Sequence, residues 1–255
     1  MANTVFENKV IEAKVTDLLT TSINARNYMT LDNSLTGTAG MTKTINVYTY
    51  TGEAEELETG EGNSTYGSIA YVGTDYKVKR AQHAGKYFDD DFMKDNTIVD
   101  GIAKGGAQIL VNKMTADFVN ECKKATLSVP GALSYDTIVD AISELNLENE
   151  ANVFVIIPNE QKALLRKDAD YVAARQGEVV YTGQVGTICG IPVIASKAFT
   201  EPYVMTKEAV KLFMKKDVEI EQDRDIETKE NKIVFSTYYI CALADATKIC
   251  KIATA

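Results

Sequence analysis

The chain has 255 residues, of which 45% are hydrophobic and 25% are charged, a balance typical of globular proteins with one large or two small domains. Its 27 basic and 36 acidic residues give a formal net charge of −9, which argues against general affinity for phosphate backbones or anionic lipids. No apolar run approaches the roughly 18 residues that span a bilayer, and the N-terminus lacks a secretory signal pattern. We therefore expect a cytoplasmic protein without a membrane span.

Histidine and cysteine are too few and too scattered for most metal or nucleophilic chemistry. The single histidine, His83, excludes a histidine dyad or a histidine-rich metal site. Cys122, Cys189, Cys241 and Cys250 form no Cys-x-x-Cys pair, so a zinc knuckle or a thioredoxin-type motif is absent. We expect four free, mostly buried thiols, and no catalytic residue, cofactor site or metal site.

The N-terminal segment has an apolar stripe that no nearby segment covers. Along residues 1–30, apolar side chains recur every three to five positions, and Phe6 and Val10 belong to this stripe. The spacing fits an amphipathic helix or a strap laid on a surface. Residues 30–43 are small and polar, with two glycines, and are predicted to be a linker.

Two strand-like segments follow, at 44–50 and 68–72, and they predict a long hairpin. The connecting residues 52–67 contain almost no aliphatic side chain and cannot bury enough apolar surface to offset the entropy of ordering. The end of the hairpin should be mobile unless a partner holds it, and a loop of this length suggests an intermolecular role. Five acids lie here, with no Lys or Arg anywhere in 44–74: Glu53, Glu55, Glu56, Glu58 and Glu61.

Residues 76–88 have the alternating pattern of a further strand, and three adjacent aspartates follow at 89–91. These acids either bind a divalent cation or begin a helix, where the helix dipole favours negative charge, and the helix start is preferred. From 97 to 125 the apolar residues recur at helical spacing without a proline, which predicts one helix about 43 Å long. Gly101, Gly105 and Gly106 interrupt it and suggest either close approach of another segment or a kink.

The rest of the chain predicts a mixed α/β region followed by strands. Ser134 is a good N-cap for a short helix, residues 151–157 form an apolar run typical of a buried strand, and a helix restarts at 160–167. The glycine-rich segment 183–195 continues as a strand through Pro192, so it does not have the context of a phosphate-binding loop. Four strands are predicted beyond it, at 210–214, 218–223, 233–243 and 248–252, and the second has an acidic exposed face.

This order of elements resembles the major capsid protein of tailed phages, an α+β protein of the Hong Kong ninety-seven type. The most specific parts of the resemblance are Gly186-Thr-Ile-Cys-Gly-Ile-Pro-Val193 and the acidic strand Val218-Glu-Ile-Glu-Gln-Asp-Arg224 about 25 residues later. The strap, the flexible hairpin, the long helix and the segment Val153-Phe-Val-Ile-Ile-Pro-Asn159 match by their arrangement. The similarity covers essentially the whole chain.

The resemblance implies a division of the chain into the parts of a capsid subunit. Residues 1–42 would be an N-terminal arm and 43–75 an extended loop. Residues 76–133 and 206–240 would form the peripheral domain, with the spine helix at 97–125. Residues 134–205 and 241–255 would form the axial domain. No lysine lies between 44 and 74, so covalent cross-linking through the hairpin is not expected.

The resemblance also implies a shell-forming structural protein that is not an enzyme. Its partners would be further copies of itself in hexamers and pentamers, packaged DNA held without sequence-specific contact, and separate scaffolding, portal and decoration proteins. It would reside in the virion capsid after assembly in the host cytoplasm. The five hairpin glutamates, with Phe6 and Val10, are the expected inter-subunit contacts. An encapsulin-like nanocompartment shell and, in a different class, a metal-dependent hydrolase using the acids at 89–91 remain as alternatives.

Overall fold

A computed structural model describes residues 25–37, 39–150, 152–170 and 186–253. The apolar stripe with Phe6 and Val10 lies outside these residues. The predicted α+β class is confirmed, with strands and helices interspersed along the chain. Within the described residues the strands are β1 (Thr30–Asp32), β2 (Thr42–Thr51), β3 (Ser68–Lys77), β4 (Lys79–Phe88), β5 (Leu127–Pro130), β6 (Val153–Pro158), β7 (Thr187–Ile188), β8 (Ile191–Ser196), β9 (Tyr203–Thr206), β10 (Val210–Arg224), β11 (Glu230–Leu243) and β12 (Ile249–Ala253).

Four α-helices and three short 3₁₀ turns complete the described part of the chain. The helices are α1 (Asp89–Lys94), α2 (Ile98–Cys122), α3 (Tyr135–Glu144) and α4 (Lys162–Lys167). The 3₁₀ turns are Ala25–Tyr28, Asn159–Gln161 and Ala246–Lys248. Helix α3 begins as predicted, because the Ser134 hydroxyl accepts from the Thr137 amide and the Thr137 hydroxyl accepts from the Ser134 amide.

The first sheet has the strand order β1-β10-β11-β4 and carries α2 on one face. Strand β1 runs parallel to β10, and the other neighbouring pairs are antiparallel. Apolar side chains of α2 at helical spacing, including Leu110, Met114 and Phe118, pack against Phe235 and Tyr239 of β11 and their neighbours. This interface is part of the larger of the two main apolar clusters, which also includes Phe154 of β6 and Tyr203 of β9.

The second sheet has the order β5-β12-β9-β6-β8-β7 and is covered by α3. Strand β6 is buried at every residue, as its continuous apolar run predicts. Strands β7 and β8 join through Cys189 and Gly190, whose φ angles of 50° and 80° match a tight hairpin turn. The glycine-rich segment therefore continues into a strand, as predicted.

Several boundaries differ from the predictions. The long helix ends at Cys122, so it spans 25 residues and about 38 Å rather than 43 Å. The strand expected at 76–88 is divided at Val78, where the chain passes from β3 into β4. The strands expected at 210–214 and 218–223 are one strand, β10, with a bulge between Met214 and Glu219. The expected linker 30–43 contains β1, and β9 was not predicted.

Helix α2 continues without a break through its three glycines, and one of them allows a close contact. A Cβ atom at Gly106 would lie 2.7 Å from the Phe235 ring, whereas a Cβ at Gly101 or Gly105 would meet no atom within 4 Å. Gly106 therefore provides the close approach that the sequence suggested, and the approaching group is a side chain of β11.

Alanine substitutions at the two adjacent glycines, Gly105 and Gly106, should change the free energy of unfolding in opposite directions. Gly105→Ala should stabilise unassembled subunits by about 0.5–1 kcal/mol because it removes backbone freedom from the unfolded chain. Gly106→Ala should destabilise them by about 1–2 kcal/mol, since overpacking against Phe235 outweighs the same gain. Urea unfolding midpoints measure both, and a stabilising Gly106→Ala would contradict the packing described here.

Candidate assembly surface

Strands β2 and β3 form an isolated two-stranded sheet, which with the residues between them we call the extended hairpin (residues 42–77). Ten residue pairs run from Thr42 opposite Lys77 to Thr51 opposite Ser68. At about 3.3 Å per residue the strands extend roughly 33 Å. An isolated ribbon of this kind is at best marginally stable in water, so contacts at its base or with another molecule must support it.

Large apolar side chains are exposed on both faces of the extended hairpin. Tyr50 lies opposite Ile69, and the period of two places Tyr71 on the same face, with exposed fractions of 65%, 51% and 65%. Val72 points to the other face and is 68% exposed. A ribbon with apolar side chains exposed on both faces has the composition of a contact surface.

The root of the hairpin, residues 76–80, is anchored by apolar packing and by one carboxylate. Val78 is buried in a small cluster with Phe213 and Ile240. Glu121, near the end of α2, accepts from the Tyr76 hydroxyl at 3.4 Å and from the Leu243 amide at 3.2 Å. Burial, and secondarily the charge of Glu121, raises the pKa of Tyr76. Three elements therefore meet at Glu121 and hold the hairpin against the first sheet.

The acidic end of the hairpin, residues 52–67, which we call the tip, is organised by Glu55. The Glu55 carboxylate accepts from the amide and hydroxyl of Ser64, at 2.7 and 2.9 Å, and from the amide and hydroxyl of Thr65. These hydrogen bonds, led by that of the Thr65 hydroxyl, lower the pKa of Glu55 to about 2. The tip thus has internal structure that its composition did not predict.

The hydrogen bonds from Ser64 and Thr65 to Glu55 should weaken at low pH. Because its folded pKa lies below the ordinary value, the stabilisation of the tip is complete above about pH 4.5 and is lost as the pH falls toward 2. At pH 7, Glu55→Gln should raise the rate of proteolysis within residues 52–67 several-fold, since the neutral amide is a weaker acceptor. Glu53→Gln is the matched control. Equal cleavage of the unaltered protein and the two variants would contradict a stabilising role for the hydrogen bonds to Glu55.

The other four glutamates of the tip differ from Glu55. Glu61 accepts weakly from the Glu58 amide at 3.5 Å. The carboxylates of Glu53, Glu56 and Glu58 are exposed and have no hydrogen-bond or ion-pair partner among the described residues. These three carboxylates are therefore available to a second molecule, whereas Glu55 is engaged inside the tip.

The acids at 89–91 begin α1, in agreement with the preferred interpretation. Asp89 accepts from Arg224 and from the Asn231 amide group at 2.6 Å, and these bonds, first that of Arg224, lower its pKa. No group of three or more metal-ligating side chains occurs in the part of the chain that the structure describes. Asp89 therefore joins the start of α1 to the adjacent ends of β10 and β11.

The remaining candidate residues are dispersed. Cys122, Cys241 and Cys250 are buried, and burial raises the pKa of each thiol, that of Cys250 to about 11. Cys189 is exposed in the β7–β8 turn, and all four thiols are free, as expected. His83 lies half-buried on β4, opposite Phe235 of β11. None of the described helices is long and apolar enough to cross a membrane.

A search of family models found no match. A curated major capsid protein of Staphylococcus phage phiMR11 is 25% identical over 238 residues, covering 87% of this chain and 84% of the relative. Among solved structures, one from Mycobacterium phage Che8 has a TM-score of 0.70 at 15% identity, with 89% of each chain covered. The capsid of a native GTA particle has a TM-score of 0.71 at 13% identity, covering 91% of this chain and 90% of the other.

The two sheets, the long helix and the extended hairpin are the fold that this chain shares with these solved capsid structures. A virus-like particle from Pyrococcus furiosus shares it, with a TM-score of 0.67 at 12% identity over 97% and 99% of the two chains. Among proteins with this fold, the expected resemblance to the major capsid proteins of tailed phages is confirmed by the relative from the Staphylococcus phage.

Proposed function

We propose that this chain is a structural subunit that self-assembles into the icosahedral shell enclosing phage DNA. The observation that carries the proposal is the similarity to a phage major capsid protein over more than four fifths of both chains. The extended hairpin supports the proposal. Its exposed apolar side chains would face water in a monomer, whereas in an assembly they could be buried against another copy. The role is structural, without catalysis.

The parts of the subunit are proposed from the packing. The first sheet with α2 as spine helix would form the peripheral domain, and the second sheet with α3 would form the axial domain. Because β5 pairs with β12 in the second sheet, we place the domain boundary near residue 126, slightly earlier than the sequence suggested. Residues 43–75 would be the extended loop and 1–42 the N-terminal arm, with β1 fastened to β10.

The partners follow from the same proposal. The chain would contact other copies in hexamers and pentamers, and separate scaffolding, portal and decoration proteins would complete the particle. A net charge of −9 suits a shell that encloses DNA without sequence-specific contact. The protein would assemble in the host cytoplasm and reside in the virion.

The two alternatives receive less support. A nanocompartment shell would have the same fold, but the curated relative is a phage capsid protein. A hydrolase would need metal ligands, and Asp89, the first of its candidate residues, is engaged by Arg224 and Asn231.

The purified protein should form large closed particles or capsomers. Light scattering across a range of salt and protein concentrations, followed by electron microscopy, measures their size and shape. A monodisperse 28 kDa monomer under all conditions would contradict the proposed function.

A further inference from the structure

An apolar cavity of about 270 Å³ lies between the start of the described chain, α2 and the second sheet. Most of its wall is made of apolar side chains from these elements and from the segment after β8: Ala25, Tyr28, Phe118, Ile156, Ile194 and Phe199. The cavity therefore borders the larger apolar cluster, to which four of these residues belong as buried members. Such a cavity is destabilising when nothing fills it, because its lining atoms then have no partners on one side.

The polar side chains at the cavity are already engaged or reach solvent. The Thr115 hydroxyl donates to the Val111 carbonyl at 2.8 Å, and the Ser196 hydroxyl accepts from the Ala198 amide at 3.2 Å. Lys197 is exposed, so its ammonium group can remain in water while its stem lines the cavity. The side chains that suit this cavity are therefore apolar.

The described chain begins at the wall of this cavity, and apolar residues directly precede it in sequence. Ala25 is buried, and the Tyr28 ring lies 5.5 Å from an aromatic ring of β6, so this end of the described chain is fixed on the core. Residues 1–24 include Leu19 and Ile23. At a reach of about 3.6 Å per residue, the Cα atoms of these two residues can lie no more than roughly 22 and 7 Å from that of Ala25.

A tethered segment has an advantage over a separate molecule as the occupant of the cavity. Because only a few residues join Leu19 and Ile23 to the cavity wall, their effective concentration at the cavity is on the order of millimolar. A separate molecule would also lose translational and rotational freedom on binding, a cost that a tethered segment largely avoids. The same chain is therefore favoured as the source of the apolar side chains.

We propose that Leu19 and Ile23 of the same subunit occupy this cavity. The N-terminal segment would then turn back onto its own core and close the junction between α2 and the second sheet. Phe6 and Val10, which are farther from Ala25 in sequence, would remain available to a neighbouring copy. This filling would already exist in the unassembled subunit and does not depend on the proposed shell function.

A tryptophan in the cavity wall tests the proposal, because the chain has no tryptophan of its own. Tyr28→Trp in the full chain provides a single reporter, whose emission in unassembled subunits should be blue-shifted relative to free tryptophan and shielded from acrylamide. Adding Leu19→Ser/Ile23→Ser should shift the emission to the red and raise the quenching constant about two- to threefold, because water then reaches the cavity wall. Adding Phe6→Ser/Val10→Ser instead is the matched control and should change neither reading.

Circular dichroism checks that each variant folds. If the serine pair at Leu19 and Ile23 does not fold, Leu19→Ala/Ile23→Ala replaces it and should raise quenching in the same direction. Quenching that is unchanged by substitution of these two residues would overturn the proposal, and so would equal increases from the control pair. Shielding that appears only as the protein concentration rises would assign the cavity to a second copy and would rule out occupancy by the same chain.

Discussion

Replacing residues 52–67 by a short Gly-Ser turn is expected to abolish closed particles while leaving the subunit folded. The tip contains two large hydrophobic residues, Leu57 and Tyr66, which are 44% and 87% exposed. The replacement removes Glu55 together with its hydrogen-bond donors Ser64 and Thr65. No buried polar group therefore loses its partner. The loss in subunit stability should be only about 1 kcal/mol.

Circular dichroism and thermal melting follow the subunit, and electron microscopy follows the particles. A second variant, in which a Gly-Ser sequence of unchanged length replaces the tip, separates the loss of reach from the loss of the glutamates. It too should fail to close particles if the chemistry of the tip matters. Normal shells from the shortened protein would show that the tip has no inter-subunit role, and loss of folding would show that the tip belongs to the core.

The second large effect is expected at Phe118 of α2, in the larger apolar cluster. Its side chain is fully buried, and its ring meets Phe199 edge-on with centroids 5.7 Å apart. Phe118→Ala removes this contact and leaves a cavity, which should destabilise the subunit by about 3–5 kcal/mol. For a chain of this length the melting temperature should fall by on the order of 10 °C.

Ile109 on the same helix provides the matched control. It is 44% exposed, so Ile109→Ala should cost less than about 1 kcal/mol. Denaturant unfolding of unassembled subunits measures both variants. Equal destabilisation by the two substitutions would contradict the burial of Phe118 in the larger apolar cluster. The comparison also distinguishes folding from assembly. Phe118→Ala should lower the stability of the subunit, whereas the tip replacement should leave that stability nearly unchanged and abolish particles.

Patterns within short segments determined much of this protein from its sequence. The helical spacing of apolar residues predicted α2, the Ser134 cap predicted the start of α3, and the continuous apolar run predicted β6. The strand-like segments on either side of residues 52–67 predicted the extended hairpin. The order of these elements was sufficient to identify the capsid-protein resemblance, because local propensity and burial pattern agree along most of the chain.

Only the tertiary structure decided which residues meet across long separations in sequence. Glu121 receives Tyr76 and the Leu243 amide, and Gly106 admits Phe235, yet no local pattern marks these pairs. The five tip glutamates are alike in sequence, and it is the fold of the tip that engages Glu55 and leaves Glu53 exposed. Burial and hydrogen bonding depend on the positions of distant atoms in space, and the periodicity of a single segment contains no information about those positions.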